Sequence, residues 1–313
     1  MSLGTLLKIG LSTVMLVIVF QFVEIDQLIH TISQIPLWCA LFTVVGYVLG
    51  QSISAFKWKI IARSAGIDSS FANILKAYFI GMFVNSFGLG IIGGDVARGI
   101  LLTEHGQSKT LGVATVFADR VHGLAILSLM GICATLLFAS SAINERLVLT
   151  LVVLGALLIL GWFYGPRIAM RLAPKESSMW RKLDQLKEAL PTDLPTLTSI
   201  SLLSLTFHLL QIGLHWVIAQ GLGVSLPLGV LFVSIPFVNI LSSLPMSWNG
   251  LGVREGGYIF FFCSVFHYLT EEQALVMGAI WLLAVTTSSA VGGLVAFASK
   301  DLSTLRLRAA KEV

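Results

Sequence analysis

The stretch GGDVARG, residues 93–99, decides how this chain is read: a glycine pair, an acid and an arginine stand between long apolar runs. A similar phrase, NGLGVREGG, returns at residues 249–257. Flexible backbone and opposite charges are costly in hydrocarbon unless they are buried in protein or face water. The two breaks therefore mark the working site of a membrane protein, with Gly93, Gly94, Gly250 and Gly252 as its hinges.

Composition sets the class. The 313 residues are 56% hydrophobic and 12% charged, and the mean hydropathy is +0.89, whereas a soluble domain carries about a quarter charged residues. The net charge of +4 does not point to nucleic acid, because Lys and Arg gather in short clusters beside the apolar runs. Such clusters read as topology signals. Cys39, Cys133 and Cys263 each lie inside an apolar run without CxxC or Cys/His spacing, so neither a disulfide framework nor a metal site is indicated. Lys8 followed by the apolar residues 9–23 has signal-peptide character. Glu24-Ile25-Asp26 offers no small-residue cleavage site, and the reading is an uncleaved first span.

Charge asymmetry then orients the chain. Residues 24–36 hold two acids and His30 but no Lys or Arg, whereas the second span, 37–56, ends at Lys57, Trp58, Lys59 and Arg63. The N-terminus and residues 57–70 are thus expected in the cytoplasm. The basic loop 165–197, with Arg167, Arg171, Lys175, Arg181, Lys182 and Lys187, must lie there too. Parity allows this only if residues 71–110 enter from the cytoplasm and return, leaving 111–138 to go out and 147–164 to come back. The first glycine break is therefore read as a re-entrant hairpin.

The second half repeats the pattern. Residues 198–222 go outward, 226–266 form a hairpin broken at Pro245 and NGLGVREGG, and 274–298 cross to a tail bearing Lys300, Arg306, Arg308 and Lys311. The triplets 37–56, 71–110, 111–138 and 198–222, 226–266, 274–298 are offset by about 160 residues and run in opposite directions, an inverted-topology repeat common in transporters. The expected fold is all-α: a single polytopic transmembrane domain of about six full spans plus two re-entrant helical hairpins, with both termini cytoplasmic.

Ionisable groups inside spans are functional candidates by default. Asp95 and Arg98 are spaced i,i+3 and can pair on one helical turn. Asp119 and Arg120 sit within the 111–138 run; adjacent helical residues face apart, so Arg120 is expected to reach another element such as Asp95 or Glu255. Arg254 and Glu255 mirror the first pair, and a guanidinium suits bidentate phosphate contact. Ser204, His208, Gln211 and His215 form one polar stripe that faces the bundle interior or a wet groove. Its histidines suit proton coupling or plain hydrogen bonding. No GxxxxGK[ST] and no HExxH occurs in the chain.

In order, Asn85…GGDVAR, FADRVHGL at 117–124 and a proline followed by GLGVREGG resemble the lysylphosphatidylglycerol synthase transmembrane family, the flippase-type module of multiple-peptide-resistance proteins. The resemblance covers nearly the whole chain and implies a multi-pass protein of the cytoplasmic membrane that moves lipids or lipid-linked molecules between leaflets. By it, Asp95, Arg98, Asp119, Arg120, Arg254 and Glu255 are the positions carried over. Leu89 departs from the proline that this family places before its GGD. The chain ends at Val313 without an aminoacyl-transferase domain, so lipid aminoacylation is not carried over.

The expected function is a lipid translocase in which a polar groove of the two hairpins holds a lipid phosphate on Arg98, Arg120 and Arg254. The alternatives are a membrane-embedded transferase acting on a lipid phosphate and a non-catalytic subunit of a lipid-handling complex. No cofactor and no nucleic-acid partner is expected. Membrane phospholipid or polyprenyl-phosphate-linked lipid is the expected partner, with a homo-oligomer or a lipid-modifying enzyme compatible with the chain.

Overall fold

The computed structural model describes residues 13, 25–87, 90–103, 108–138, 145–172, 174–175, 177–244, 247 and 249–299. The expected first span, Gly88-Leu89, Glu104-His105, Pro245 and the basic tail from Lys300 lie outside these residues. Every described element is helical. In chain order they are α1 (Ile25–Gln34), α2 (Leu37–Ser64), α3 (Phe71–Phe87), α4 (Gly90–Leu102), α5 (Lys109–Phe138) and α6 (Glu145–Leu172). There follow α7 (Ser178–Glu188), α8 (Leu194–Gly221), α9 (Leu228–Ser243), α10 (Val253–Tyr258), a π-helical segment (Ile259–Val265) and α11 (Glu271–Ala298).

Local chemistry places the starts. Ser70 Oγ accepts from Asn73 N ahead of α3, and Ser177 Oγ accepts from Trp180 N ahead of α7. Asp193 Oδ1 accepts from Thr196 N at 2.9 Å ahead of α8, and that amide holds the exposed carboxyl below the usual carboxylate range. Thr270 and Gln273 cap α11 reciprocally, each side chain accepting from the other's backbone N–H. These side chains satisfy N–H groups that a helix start leaves without an internal partner.

Among the described residues, four helices, α2, α5, α8 and α11, are long and apolar enough to cross a membrane. At 28 to 30 residues each is more than the roughly 20 residues that span a hydrocarbon core. On α2, Leu37, Trp38, Leu41, Phe42, Val45 and Leu49 are exposed along one face. A stripe of that kind is stable against lipid, not water. The protein is a multi-pass integral membrane protein.

The chain divides into two compact units. Unit one comprises Met1–Gly50, Leu124–Ile159 and His208–Val285. Its core gathers Ile212, Leu214 and Ile218 of α8, Leu231, Ile235 and Phe237 of α9, Tyr258, Phe262 and Trp281. Gly46 of α2 allows Leu214 to pack closely: a Cβ there would stand 2.5 Å from Leu214 Cδ2. Helices α9 and α10 pack on one another, joined by a turn in which Asn249, Gly250 and Gly252 all have positive φ (55°, 78° and 80°). After α10, Phe266 N donates to Phe261 O at 2.9 Å, an i to i−5 bond of the kind found in π-bulges at functional sites.

Unit two comprises Gln51–Gly123, Leu160–Phe207 and Thr286–Val313. Here α3 and α4 pack tightly as a helical hairpin. Gly93 and Gly94 are helical, inside α4. A side chain at Gly94 would strike the Gly81 carbonyl and Asn85, so this glycine brings α3 and α4 together. Gly99 of α4 meets Gly112 and Val113 of α5 in the same way, and Gly292 of α11 meets the Phe79 carbonyl of α3.

Candidate functional site

Unit two holds an alternating chain of charge. Lys57 Nζ lies 2.9 Å from Asp119 Oδ1 and donates to the Asp119 carbonyl at 3.1 Å. Arg98 Nη2 donates to Asp119 Oδ2 at 3.3 Å, and Arg98 Nε donates to Asp95 Oδ1 at 3.2 Å. Arg120 then grips Asp95 with two bonds, Nε to Oδ2 at 2.7 Å and Nη2 to Oδ1 at 3.0 Å. The order is cation, anion, cation, anion, cation, so each carboxylate is shared by two cations and the central Arg98 contacts both carboxylates. Lys57, Arg98 and Asp119 are buried, whereas the Arg120 side chain is 39% exposed and that of Asp95 18%.

Aromatic rings fix the middle of this chain. The Arg98 guanidinium lies 4.9 Å from the Trp58 ring centroid and 4.7 Å from that of Tyr78, in cation–π range. Trp58 Nε1 donates to Thr115 Oγ1 at 3.0 Å. The Tyr78 hydroxyl stands 3.0 Å from Gln51 Oε1 and 2.9 Å from Ser54 Oγ. Its single proton can serve one of them; Gln51 Oε1 can only accept, so Tyr78 donates there and Ser54 donates to Tyr78. Four elements, α2, α3, α4 and α5, are thereby tied to one guanidinium.

On α5, Asp119 and Arg120 point to different partners, as adjacent helical positions must. Arg120 reaches Asp95, one of its two expected partners. His122, one turn beyond Asp119, places Nε2 3.2 Å from Ser201 Oγ.

Unit one holds the second set. Arg254 and Glu255 are buried on α10, immediately after the turn. Glu255 Oε2 accepts from Gly252 N at 2.7 Å, closing the start of α10. Its carboxylate packs against Gly278 of α11, where a Cβ would lie 3.1 Å from Glu255 Oε1. Arg254 has a different fate: Nη2 donates to the Asn249 carbonyl at 3.1 Å, and Nε and Nη1 have no hydrogen-bond partner. Among the described residues, no carboxylate pairs with it.

The polar stripe of α8 faces inward: Ser204, His208 and His215 are buried. His215 Nδ1 lies 2.7 Å from the Gln211 carbonyl and Nε2 lies 2.7 Å from the Tyr258 hydroxyl. A carbonyl only accepts, so Nδ1 carries a proton and donates to the Gln211 carbonyl, while Nε2 and the Tyr258 hydroxyl share the second bond. Trp281 stacks on the imidazole at 4.1 Å between centroids, while Gln211 Oε1 accepts from Asn239 Nδ2 of α9.

Residues 5–298 match the family described as the lysylphosphatidylglycerol synthase TM region. The chain belongs to that family. It is also 26% identical to the UPF0104 membrane protein PH1989 of Pyrococcus horikoshii over 119 residues, which cover 37% of this chain and 35% of that relative. The chain thus matches about a third of the length of the relative.

Within this lysylphosphatidylglycerol synthase TM family member, the structure brings Asp95, Arg98, Asp119 and Arg120 into one network. Arg254 and Glu255 stand in the other unit, with Gln211 and His215. Three members of the network escaped the sequence reading. Lys57 was read as a cytoplasmic flank of a span ending at residue 56; α2 instead continues to Ser64 and carries Lys57 into the interior, against Asp119. Trp58 was read only within the Lys57-Trp58-Lys59 flank and Tyr78 was not singled out; their role depends on Arg98 arriving between them. The one signal available was the Lys-Trp-Lys alternation at 57–59, which places Lys57 and Lys59 on different faces of a continuing helix.

Proposed function

We propose that this protein is a lipid translocase that moves a lipid carrying a phosphate between membrane leaflets, with Arg120 receiving the phosphate. The observation that carries the reading is the charge order in unit two: three cations share two carboxylates, and the excess positive charge ends on the one partly exposed cation of the three, Arg120. Arg120 already presents a two-bond fork to Asp95, the geometry with which a guanidinium holds a phosphate. An arriving phosphate takes over that fork, and Asp95 retains Arg98. Asp95 thus acts as a stand-in for the ligand, keeping Arg120 paired between transport events. Arg98, enclosed by two rings and two carboxylates, positions Asp95 and does not meet the lipid.

The same reading favours transport over phosphate-transfer chemistry. Asp95 and Asp119, the carboxylates a transferase would use, are each paired with two cationic side chains and so are committed to holding helices together. In this proposal the α3–α4 and α9–α10 hairpins are re-entrant, the former entering from the cytoplasm and the latter from outside. Six spans complete an inverted repeat with both termini in the cytoplasm, and the host is the cytoplasmic membrane. Acyl or prenyl tails stay in the bilayer while the polar group passes along protein.

The test is leaflet exchange of a fluorescent phospholipid in proteoliposomes. Arg120→Ala and Arg254→Ala are expected to slow exchange at unchanged protein yield; wild-type rates in both variants sink the reading.

A further inference from the structure

Arg254 is 8% exposed, and three of its N–H donors, on Nε and Nη1, meet no acceptor. Ser242 of α9 is 6% exposed, and its hydroxyl likewise has no partner. The two converge on Gly250: a Cβ built there would lie 2.9 Å from Ser242 Cβ and 3.1 Å from Arg254 Nη2. Gly250 has φ of 78°, so the residue that any side chain would strain is also the one whose side chain would fill the cradle. Ser247, on the same turn, contributes another buried hydroxyl without a partner.

Leaving a buried guanidinium without an acceptor costs several times what an ordinary hydrogen bond returns. The nearest carboxylate in sequence does not relieve it, because Glu255 is committed to Gly252 N and to the face of α11. The turn therefore brings one positive charge and the Ser242 side chain together at Gly250. We infer that Arg254 and Ser242 form an oxyanion site in unit one for a singly charged tetrahedral group of the phosphodiester type, with Ser242 as a specificity-determining residue.

Charge sets the specificity. Arg254 is the one buried Lys or Arg among the described residues of unit one, and Glu255 stands beside it. A phosphodiester brings one charge for the guanidinium and accepts from the hydroxyl. A phosphate monoester brings a second charge for which the described residues of unit one hold no further buried cation. Burying that charge is unfavourable. The inference rests on the translocase reading for the origin of the ligand in lipid, but the site itself stands on the geometry of the turn.

Purified protein in detergent is titrated at about pH 8, where a monoester carries two charges, with dihexanoyl-phosphatidylglycerol, farnesyl phosphate and dimethyl phosphate. The phosphodiester lipid is expected to bind about tenfold tighter than farnesyl phosphate, with dimethyl phosphate competing for its site. Arg254→Gln should weaken it by about tenfold or more and Ser242→Ala by about threefold, as expected for loss of a charged and a neutral donor. Arg254→Lys, which keeps the charge and folds if charge alone is needed, should fall between. Equal affinity in wild type and Arg254→Gln, tighter binding of farnesyl phosphate, or no competition by dimethyl phosphate overturns the site. Arg254-dependent binding in a protein that exchanges no lipid overturns the translocase reading and upholds the site; normal exchange with no Arg254-dependent binding does the reverse.

Discussion

Arg98 and Arg254 are both buried guanidiniums on short helices of helical hairpins, yet their surroundings differ in kind. Arg98 of unit two touches two carboxylates and lies between two aromatic rings. Arg254 of unit one has one carbonyl and three idle N–H donors. Burial alone therefore says little about what a cation does. A guanidinium that has its counter-ions holds helices together, whereas one without them leaves N–H donors that an anion could meet, the role proposed above for Arg254. Arg120 lies between these cases, paired but accessible.

The largest expected effect breaks the unit-two side of this contrast. Asp119→Leu strips Lys57 and Arg98 of their shared carboxylate and should cost about 3–5 kcal/mol, the usual result of orphaning a buried ion-pair partner. Thermal unfolding in detergent measures it, and an unchanged Tm would show that the network does not hold the helices. Gly94→Val comes next. Its side chain meets a backbone carbonyl of α3, and about 1–3 kcal/mol is expected for such overpacking. Separation of α3 from α4, read by cysteine cross-linking between them, should accompany it.

Arg254→Met sharpens the unit-one side. No ion pair is lost, so stability should change by about 1 kcal/mol or less while anion binding disappears. A fall as large as that of Asp119→Leu would mean that Arg254 is structural after all. Arg120→Ala should cost about 1 kcal/mol or less because the pair is partly exposed, and its main effect should be on leaflet exchange.

Asp193 gives the smallest effect and a baseline outside both charge sets. Its carboxyl is lowered by the Thr196 amide, so the cap contributes stability above the ordinary carboxylate range and loses it as pH falls through the lowered native value. Asp193→Ala should remove that shallow acid-side slope, with a small loss of stability that is fullest at neutral pH and shrinks as pH falls, as pH-dependent unfolding would show.

Pairwise spacing made part of the site legible. The i,i+3 relation of Asp95 and Arg98 and the opposed directions of Asp119 and Arg120 follow from helix geometry, and both appear in the structure. The inward stripe of α8 was equally readable from its period. Lys57 was not: a lysine at the end of an apolar run looks the same whether the helix stops there or carries it into an ion pair. Gly93 and Gly94 were read as flexible points, but a glycine is written identically for a hinge and for close helix packing, and here Gly94 lies against the Gly81 carbonyl.

The sequence by itself determined that this is a helical membrane protein, because its hydropathy and its scarcity of charge leave no other stable class. It also singled out Arg98, Arg120 and Arg254 as the arginines worth explaining. Tertiary structure alone decided which of them is committed and which is free. Coulomb energy and hydrogen bonding depend on distances of a few ångströms between residues far apart in sequence, and only the packing of α2, α3, α4 and α5 in one unit and of α9, α10 and α11 in the other sets those distances.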